Sequence, residues 1–460
     1  MSAQEKNSDL LGELEENVSR RIEEAEASVV AIVRVSKNTL EDPTSPDFVP
    51  RNFGTGVAIS TDGLILTCYH LLGNPAENDY YVWKNGVSFR VRKAEKVEAV
   101  IGADPWTDLA VLKIDSSSEL RPIPMADPVI PRRGQFVISL GNPYGIAKDG
   151  QSSASFGIIS NLLRQRSLQT ASELGGGKSD TFSQYGTLLQ TDARMHRGTS
   201  GGPLLNLQGK MIGLTTSLAA ANHFDGAAGY AIPVDSTFLR TVQRLQQGKS
   251  AEFGFLGIAT RELTASQRQQ FGKGVVVTQV VDNTPADLCG LRFGDIITQV
   301  NQNPVQSSNA LLRELSGRFA GDRIDLTIQR QAFPKSPYRK QTIKVELGKK
   351  KINSRQPTIG INDFSFWRGI KVDYATAIDN LSLHFSKIDP QGCVAIVDVR
   401  KNSPAAAAGL KKMDFISHVG GKRVKTPEQF YQAVRTLSGQ VELTRVVNSG
   451  GTGEKVLLQQ

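Results

Sequence analysis

The chain has little that would tie it to a membrane, a nucleotide or a disulfide framework. No apolar run approaches the ~20 residues that a transmembrane helix needs. Only three cysteines occur in 460 residues, at Cys68, Cys289 and Cys393. Their odd number and wide spacing match neither a disulfide framework nor a paired-cysteine metal motif. No G-x-x-x-x-G-K-[ST] phosphate loop is present, so nothing points to nucleotide use. Neither a cofactor nor a bound metal is expected. The first residues, Met1-Ser-Ala-Gln-Glu-Lys6, are polar and no hydrophobic stretch follows, so no signal peptide is visible. That leaves a cytoplasmic location and an extracytoplasmic one, with the signal already removed, both open. The formal net charge of +9 permits contact with anionic surfaces, but the basic residues are dispersed. The densest cluster, Lys349-Lys350-Lys351 with Arg355 after it, reads as a solvated interdomain linker. No nucleic-acid motif is evident. With 39% hydrophobic residues the chain is globular, and its length suffices for about two to four domains.

What is present is concentrated in three segments. In Thr191-Asp-Ala-Arg-Met-His-Arg-Gly-Thr-Ser-Gly-Gly-Pro203, Ser200 sits on a glycine-lined turn. Such a turn lets backbone N–H groups converge beside a serine hydroxyl, as acyl transfer requires. A serine hydroxyl is a weak nucleophile alone and needs a base and a group that orients the base. His70 lies at the end of the second of two strands joined by a Thr61-Asp62-Gly63 turn. Asp108 stands at the entrance to another strand, Leu109–Ile114. Taken singly, a histidine at a strand end, an aspartate before an apolar run and a serine among glycines are ordinary structural residues. In the order His, Asp, Ser they match the arrangement of chymotrypsin-type barrels.

These segments, with Ser139-Leu-Gly-Asn-Pro-Tyr-Gly145, Phe156-Gly-Ile-Ile-Ser160 and Gly229-Tyr-Ala-Ile-Pro233, resemble the HtrA (Deg) family of serine proteases. The resemblance implies a mainly β fold, a chymotrypsin-like double β-barrel followed by two PDZ domains, themselves small, partly open α+β barrels. It implies an ATP-independent endopeptidase of misfolded or signalling proteins, with His70 as base, Asp108 as its orienting group and Ser200 as nucleophile. Backbone N–H groups of Gly198 and Ser200 would form the oxyanion hole, and Met195 and Leu218 the wall of an uncharged specificity pocket. Thr199 replaces the aspartate with which pancreatic-type enzymes complete activation, so activation would come from loop ordering, with Leu163–Gly186 as sensor. The resemblance further implies assemblies built from trimers, kept small by a short Lys37–Asn52 loop, and a periplasmic or other extracytoplasmic location. A chaperone or PDZ scaffold with an inactive protease domain is the alternative. Cys68, two residues before His70, is a second conceivable nucleophile.

The remaining segments read as follows. Residues 8–28 form an amphipathic helix through Leu11, Leu14, Val18, Ile22 and Ala25, packed either on its own barrel or at a trimer contact. Residues 29–247 are the protease, with one long strand expected over Tyr80–Val91 and a closing helix over 236–247. An internal repeat then relates Val281–Ile297 to Arg400–Ile416, with Pro285, Gly290 and Asp295 matching Pro404, Gly409 and Asp414. These copies define PDZ domains over 252–350 and 355–460. In the first, Phe255-Leu256-Gly257-Ile258 would hold the carboxylate of a C-terminal peptide. In the second, Trp367-Arg-Gly-Ile370 departs from that pattern, and Met413 replaces Gly294.

Overall fold

Alternating burial along short strands builds the N-terminal half. In the computed structural model, residues 3–459 are described apart from 46, 92–99, 116–119, 128–130, 143–150, 165–181, 183–185, 217–227, 334–335, 353–357, 361–364, 379–380, 382–383, 385–386 and 448–452. Strands β1 (Val29–Ser36), β2 (Asn52–Ala58), β3 (Leu64–Cys68), β4 (Asn78–Lys84), β5 (Val87–Arg90), β6 (Val100–Asp104) and β7 (Leu109–Lys113) form one antiparallel sheet in the order β5-β4-β1-β2-β3-β7-β6. It is an open half-barrel among the described residues. Strands β8 (Phe136–Gly141), β9 (Ser153–Arg164), β10 (Leu188–Thr191), β11 (Pro203–Leu205), β12 (Met211–Thr215) and β13 (Gly229–Pro233) close into a barrel. The two-residue period decides which core each side chain joins. Ile65 fills the half-barrel, while its neighbours Leu66 and Cys68 enter a core shared by both sheets. Helix α2 (Ser236–Gln246) covers that shared core with Phe238, Val242 and Leu245.

Helix α1 (Ala3–Glu26) lays Ala25, Val18 and Ile22 on the same core, whereas Leu10 and Leu11 stay exposed. The expected strand over Tyr80–Val91 is instead the β4–β5 hairpin. Asn85 and Gly86 both adopt positive φ, 50° and 74°, the geometry that an Asn-Gly pair supplies in a two-residue turn.

The C-terminal half forms a second compact unit, residues 252–352 with 362–460. Its first module contains β14 (Gly254–Phe255), β15 (Ile258–Glu262), α3 (Ala265–Phe271), β16 (Val275–Val280), α4 (Pro285–Leu288), β17 (Ile296–Val300), β18 (Asn303–Pro304), α5 (Ser308–Ser316), β19 (Arg323–Gln331), β20 (Tyr338–Glu346) and β21 (Gly348–Lys349). The second contains β22 (Ile370–Tyr374), β23 (Val394–Val399), α6 (Pro404–Ala407), β24 (Phe415–Val419), β25 (Lys422–Arg423), α7 (Pro427–Arg435), β26 (Val441–Val446) and β27 (Gly453–Leu458). The repeat reproduces itself in detail. Asp295 accepts from Arg292 N at 2.8 Å and Asp414 from Lys411 N at 2.9 Å. Met413, at φ 75°, keeps the left-handed backbone of Gly294 at 87°.

The lysine cluster is not the solvated linker its composition suggests. Lys349 is largely buried, with Nζ 2.8 Å from Glu252 and 2.7 Å from Asp373 of the second module. Its backbone N–H donates to Thr376 Oγ1, which donates in turn to the Lys349 carbonyl. Further along, Ile359 bridges Ala103 of the half-barrel through two backbone hydrogen bonds. No helix among the described residues is long and apolar enough to cross a membrane.

Asp104, at the end of β6, is fully buried and accepts from Thr107 N and Oγ1, at 2.8 and 2.6 Å, through Oδ2. Its Oδ1 has no partner. Burial first, and the nearby Asp108 charge after it, push its pKa up to about 6. A carboxyl whose pKa is raised by folding stabilises below its unfolded value and loses that contribution as pH rises through the folded value. Asp104→Asn keeps the acceptor for Thr107 and removes the charge. Urea unfolding of the two proteins should agree near the unfolded carboxylate pKa. Above the folded value the variant should be the more stable, by on the order of 2–3 kcal/mol. A stability difference that does not change with pH would contradict this.

Candidate active site

The site is assembled where β3, the loop before β7 and the segment before β11 meet. His70 lies in a 3-10 turn over Tyr69–Leu72 that follows β3, one step past the strand end where the sequence placed it. Asp108 ends the turn from Asp104 and sits at φ 62°, a left-handed backbone that aspartate tolerates better than most residues. That conformation presents its carboxylate to His70. Asp108 Oδ1 accepts from the His70 backbone N–H at 2.9 Å, and His70 Nδ1 lies 2.9 Å from Oδ2 and 3.0 Å from Oδ1. A carboxylate can only accept here, so the proton rests on Nδ1 and Nε2 carries the lone pair.

Ser200 is buried on the loop before β11, and the loop is fastened from both sheets. Thr55 N–H donates to the Ser200 carbonyl at 2.9 Å, and Thr55 Oγ1 donates to the Gly198 carbonyl at 2.8 Å. On the other side, Thr215 Oγ1 donates to the Thr199 carbonyl at 2.6 Å, and Gly201 N–H donates to the Thr215 carbonyl at 2.8 Å. Gly198, at φ 101°, is the second central residue of a turn closed by Thr199 N–H on the His196 carbonyl at 3.1 Å. Gly201 adopts φ 87°, and a Cβ there would lie 2.0 Å from the Thr55 carbonyl oxygen, so no side chain fits. The structure thus joins His70 to Asp108 directly and sets Ser200 on a clamped loop. His70 Nε2 is buried and makes no hydrogen bond.

Several contributors have no motif of their own. Thr216 Oγ1 donates to Asp108 Oδ2 at 3.1 Å, and Thr55 also accepts from Asn142 N–H at 2.8 Å. Their roles arise from strand pairing across the sheets, which only a threonine's position, not its type, could have signalled. Met195 packs beside Ala193 and Leu189, and a Cβ on Gly229 would meet its sulfur at 2.7 Å. Leu218 and most of the Leu163–Gly186 segment lie outside the described residues. Cys68 is fully buried and donates to the Thr215 carbonyl at 3.3 Å. Burial, and then the Asp108 charge, hold its thiol well above the usual range. With no cation bound the thiol therefore stays protonated, which makes Cys68 a poor nucleophile.

The two PDZ modules differ at the loop expected to receive a carboxylate. In the first, the Leu256 and Gly257 carbonyls accept from Ala286 and Val281 N–H, each at 2.9 Å. Because C=O and N–H of a trans peptide point oppositely, the N–H groups of Gly257 and Ile258 face away from those donors. In the second, the Arg368 and Gly369 carbonyls likewise accept from Ala405 and Arg400 N–H, at 3.2 and 2.8 Å, but the loop also closes on itself. Trp367 and Ile370 exchange both backbone hydrogen bonds at 2.9 Å around Arg368 and Gly369, at φ 46° and 90°. Strand β22 is a sheet edge, and its Val372 N–H donates to Tyr431 Oη of α7 at 3.3 Å. Counted from the helix N-caps Ser307 and Thr426, the residue at the Tyr431 position in the first module is Leu312, which is 37% exposed.

Residues 54–214 match the Trypsin-like peptidase domain, and residues 254–347 and 396–447 each match a PDZ domain. A probable serine protease do-like of Buchnera aphidicola is 29% identical over 388 residues, 82% of this chain and 71% of the relative. The periplasmic serine endoprotease DegP of Salmonella typhimurium is 28% identical over 377 residues, 81% of this chain and 69% of the relative. The fold is similar to that of the HtrA-type protease AlgW solved with a tripeptide, with a TM-score of 0.53 at 23% identity over 74% of this chain and 99% of that one. The chain thus carries a trypsin-like peptidase domain ahead of two PDZ domains, and over four-fifths of its length it is similar to serine endoproteases of the DegP type.

Proposed function

We propose that Ser200, His70 and Asp108 carry peptide-bond hydrolysis through an acyl-enzyme. The observation that carries this reading is the His70–Asp108 pair at 2.9 Å, which leaves the Nε2 lone pair available beside a clamped serine loop. His70 Nε2 takes the proton of Ser200 Oγ as the hydroxyl attacks the substrate carbonyl, and returns it to the leaving amine. Asp108, held by Thr216, keeps the imidazole in the required tautomer and stabilises the imidazolium. Gly198 and Ser200 N–H groups receive the oxyanion, where one donor is worth ~2.7–4 kcal/mol. Nε2 is unpartnered at rest, so the hydrogen bond to Ser200 forms on loop ordering or substrate entry, which apo sites commonly require.

Met195 supplies the described wall of the specificity pocket in this reading. It is uncharged, and Gly229 leaves room for its sulfur. Burying a Lys or Arg there without a partner is costly, so small and medium aliphatic residues fit best. The first PDZ module takes hydrophobic C-terminal peptides, as an added strand along the edge of β15 with the carboxylate on the Gly257 and Ile258 N–H groups. The second does not, because its loop and edge N–H are engaged by Trp367 and Tyr431. Like its DegP relatives, the enzyme works outside the cytoplasm. It assembles as trimers through exposed apolar groups, among them Leu10, Leu11 and the stacked pair Phe136–Phe156, whose ring centroids lie 5.3 Å apart.

Ser200→Ala should leave thermal unfolding intact and reduce casein digestion to background. Wild-type fragments should end mainly at Val, Ala or Leu on the acyl side. A variant that keeps a substantial share of wild-type turnover would remove Ser200 from the mechanism, and a Lys/Arg signature would remove the pocket.

Calorimetry with a peptide ending in an apolar residue should give one site per chain, and amidation of the peptide should abolish binding. Two sites per chain would contradict the closed second groove.

Phe136→Glu should convert trimers to monomers in light scattering, because a charge then opposes burial of the aromatic pair. An unchanged mass would place the subunit contact elsewhere.

A further inference from the structure

We propose that Cys68, His70 and Asp108 form a site for a thiophilic divalent cation such as zinc, and that its occupancy reversibly switches the peptidase off. The inhibitory consequence rests on the triad reading; the binding site itself does not. One ligand atom from each residue, the thiol sulfur, an imidazole nitrogen and a carboxylate oxygen, lies within 4.8 Å of the others. Sulfur, nitrogen and oxygen at one point are a zinc donor set. Ligand bonds of about 2.0–2.3 Å put tetrahedral ligand atoms about 3.3–3.6 Å apart. The three atoms therefore need adjustments on the order of 1 Å, not a refolded segment.

The backbone explains why they converge. Cys68 pairs across β3–β7 with Leu109, directly beside Asp108, and His70 follows two residues later in the turn whose backbone N–H is bound by the same carboxylate. No cysteine-pair spacing signals this site, because its ligands come from Cys-x-His and from a strand end 38 residues away from His70. An outer layer already exists, as metal ligands require. Thr216 holds Asp108 Oδ2, and the Thr215 carbonyl stands against the sulfur.

Binding would replace the thiol proton, which leaves to solvent, by a sulfur–metal bond. No oxidation state changes. If Nδ1 takes the metal, its proton moves to Nε2; if Nε2 takes it, that lone pair is occupied. Either way the base that would accept the Ser200 proton is gone.

The test uses the full chain. In Ser200→Ala, cadmium titration should produce the ultraviolet sulfur-to-cadmium charge-transfer band, and the double variant with Cys68→Ala should lack it, although Cys289 and Cys393 remain. In the wild type, zinc should stop casein digestion, EDTA should restore it, and magnesium and calcium should have no effect. Removing the sulfur ligand should weaken zinc sensitivity on the order of tenfold or more, read as the ratio of rates with and without zinc so that the variant's own rate cancels. Cys68→Ser supplies the same comparison if the alanine variant fails to fold. A cadmium band that is absent, or that survives loss of Cys68, would overturn the site. Equal zinc sensitivity with and without Cys68 would overturn it as well. A normal cadmium band in a chain that never digests casein would instead count against the triad reading alone.

Discussion

One buried carboxylate organises the candidate active site. Asp108 accepts from the backbone and ring of His70 and from Thr216, so it joins the half-barrel to the strand end of the closed barrel. Its left-handed backbone is a cost that the turn from Asp104 sustains, and its charge adds to the burial that raises the pKa of Asp104 and Cys68. A charge this deep must be fully hydrogen-bonded to persist. Those hydrogen bonds set the imidazole tautomer, with the proton on Nδ1 facing the carboxylate.

The serine loop is organised on a different principle. Asp108 works through charge, whereas Thr55 and Thr215 work through neutral hydrogen bonds from opposite sheets. Each tie is worth about 0.5–1.5 kcal/mol, yet together they hold a glycine turn that has little intrinsic rigidity. Gly201 lies so close to Thr55 that the loop and β2 form a single packed layer. The position of Ser200 therefore depends on the pairing of β2 with β1 and β3, well away from the His70–Asp108 pair.

Much of this was legible in the amino-acid order because the key side chains lie in short local motifs. Ser200 announces itself through its glycines, and the repeat through Pro285, Gly290 and Asp295 against Pro404, Gly409 and Asp414. What escaped reading was non-local. Thr55 and Thr216 look like any strand threonine until the sheets bring them to the loop and the carboxylate. Lys349 looked solvated because its two acidic partners lie 97 and 24 residues away. The β4–β5 hairpin was a local miss, since Asn85-Gly86 is a turn signal that an alternating apolar pattern on both sides obscured. The self-closed loop of the second module is half legible, as an odd Trp-Arg-Gly-Ile segment, but Tyr431 reaches Val372 only in the folded domain.

The Lys349 junction bears on how the tandem can be taken apart. Glu252 and Asp373 share one ammonium, and Thr376 exchanges hydrogen bonds with the backbone that carries it. A chain shortened to end after the first PDZ module would lose Asp373 and Thr376 together. The last strand of that module, β21, would then be open to water on a face built to be dry. The modules are separate units by descent, as their repeat shows, but not by excision, so the first domain's properties measured alone would belong to a different physical object.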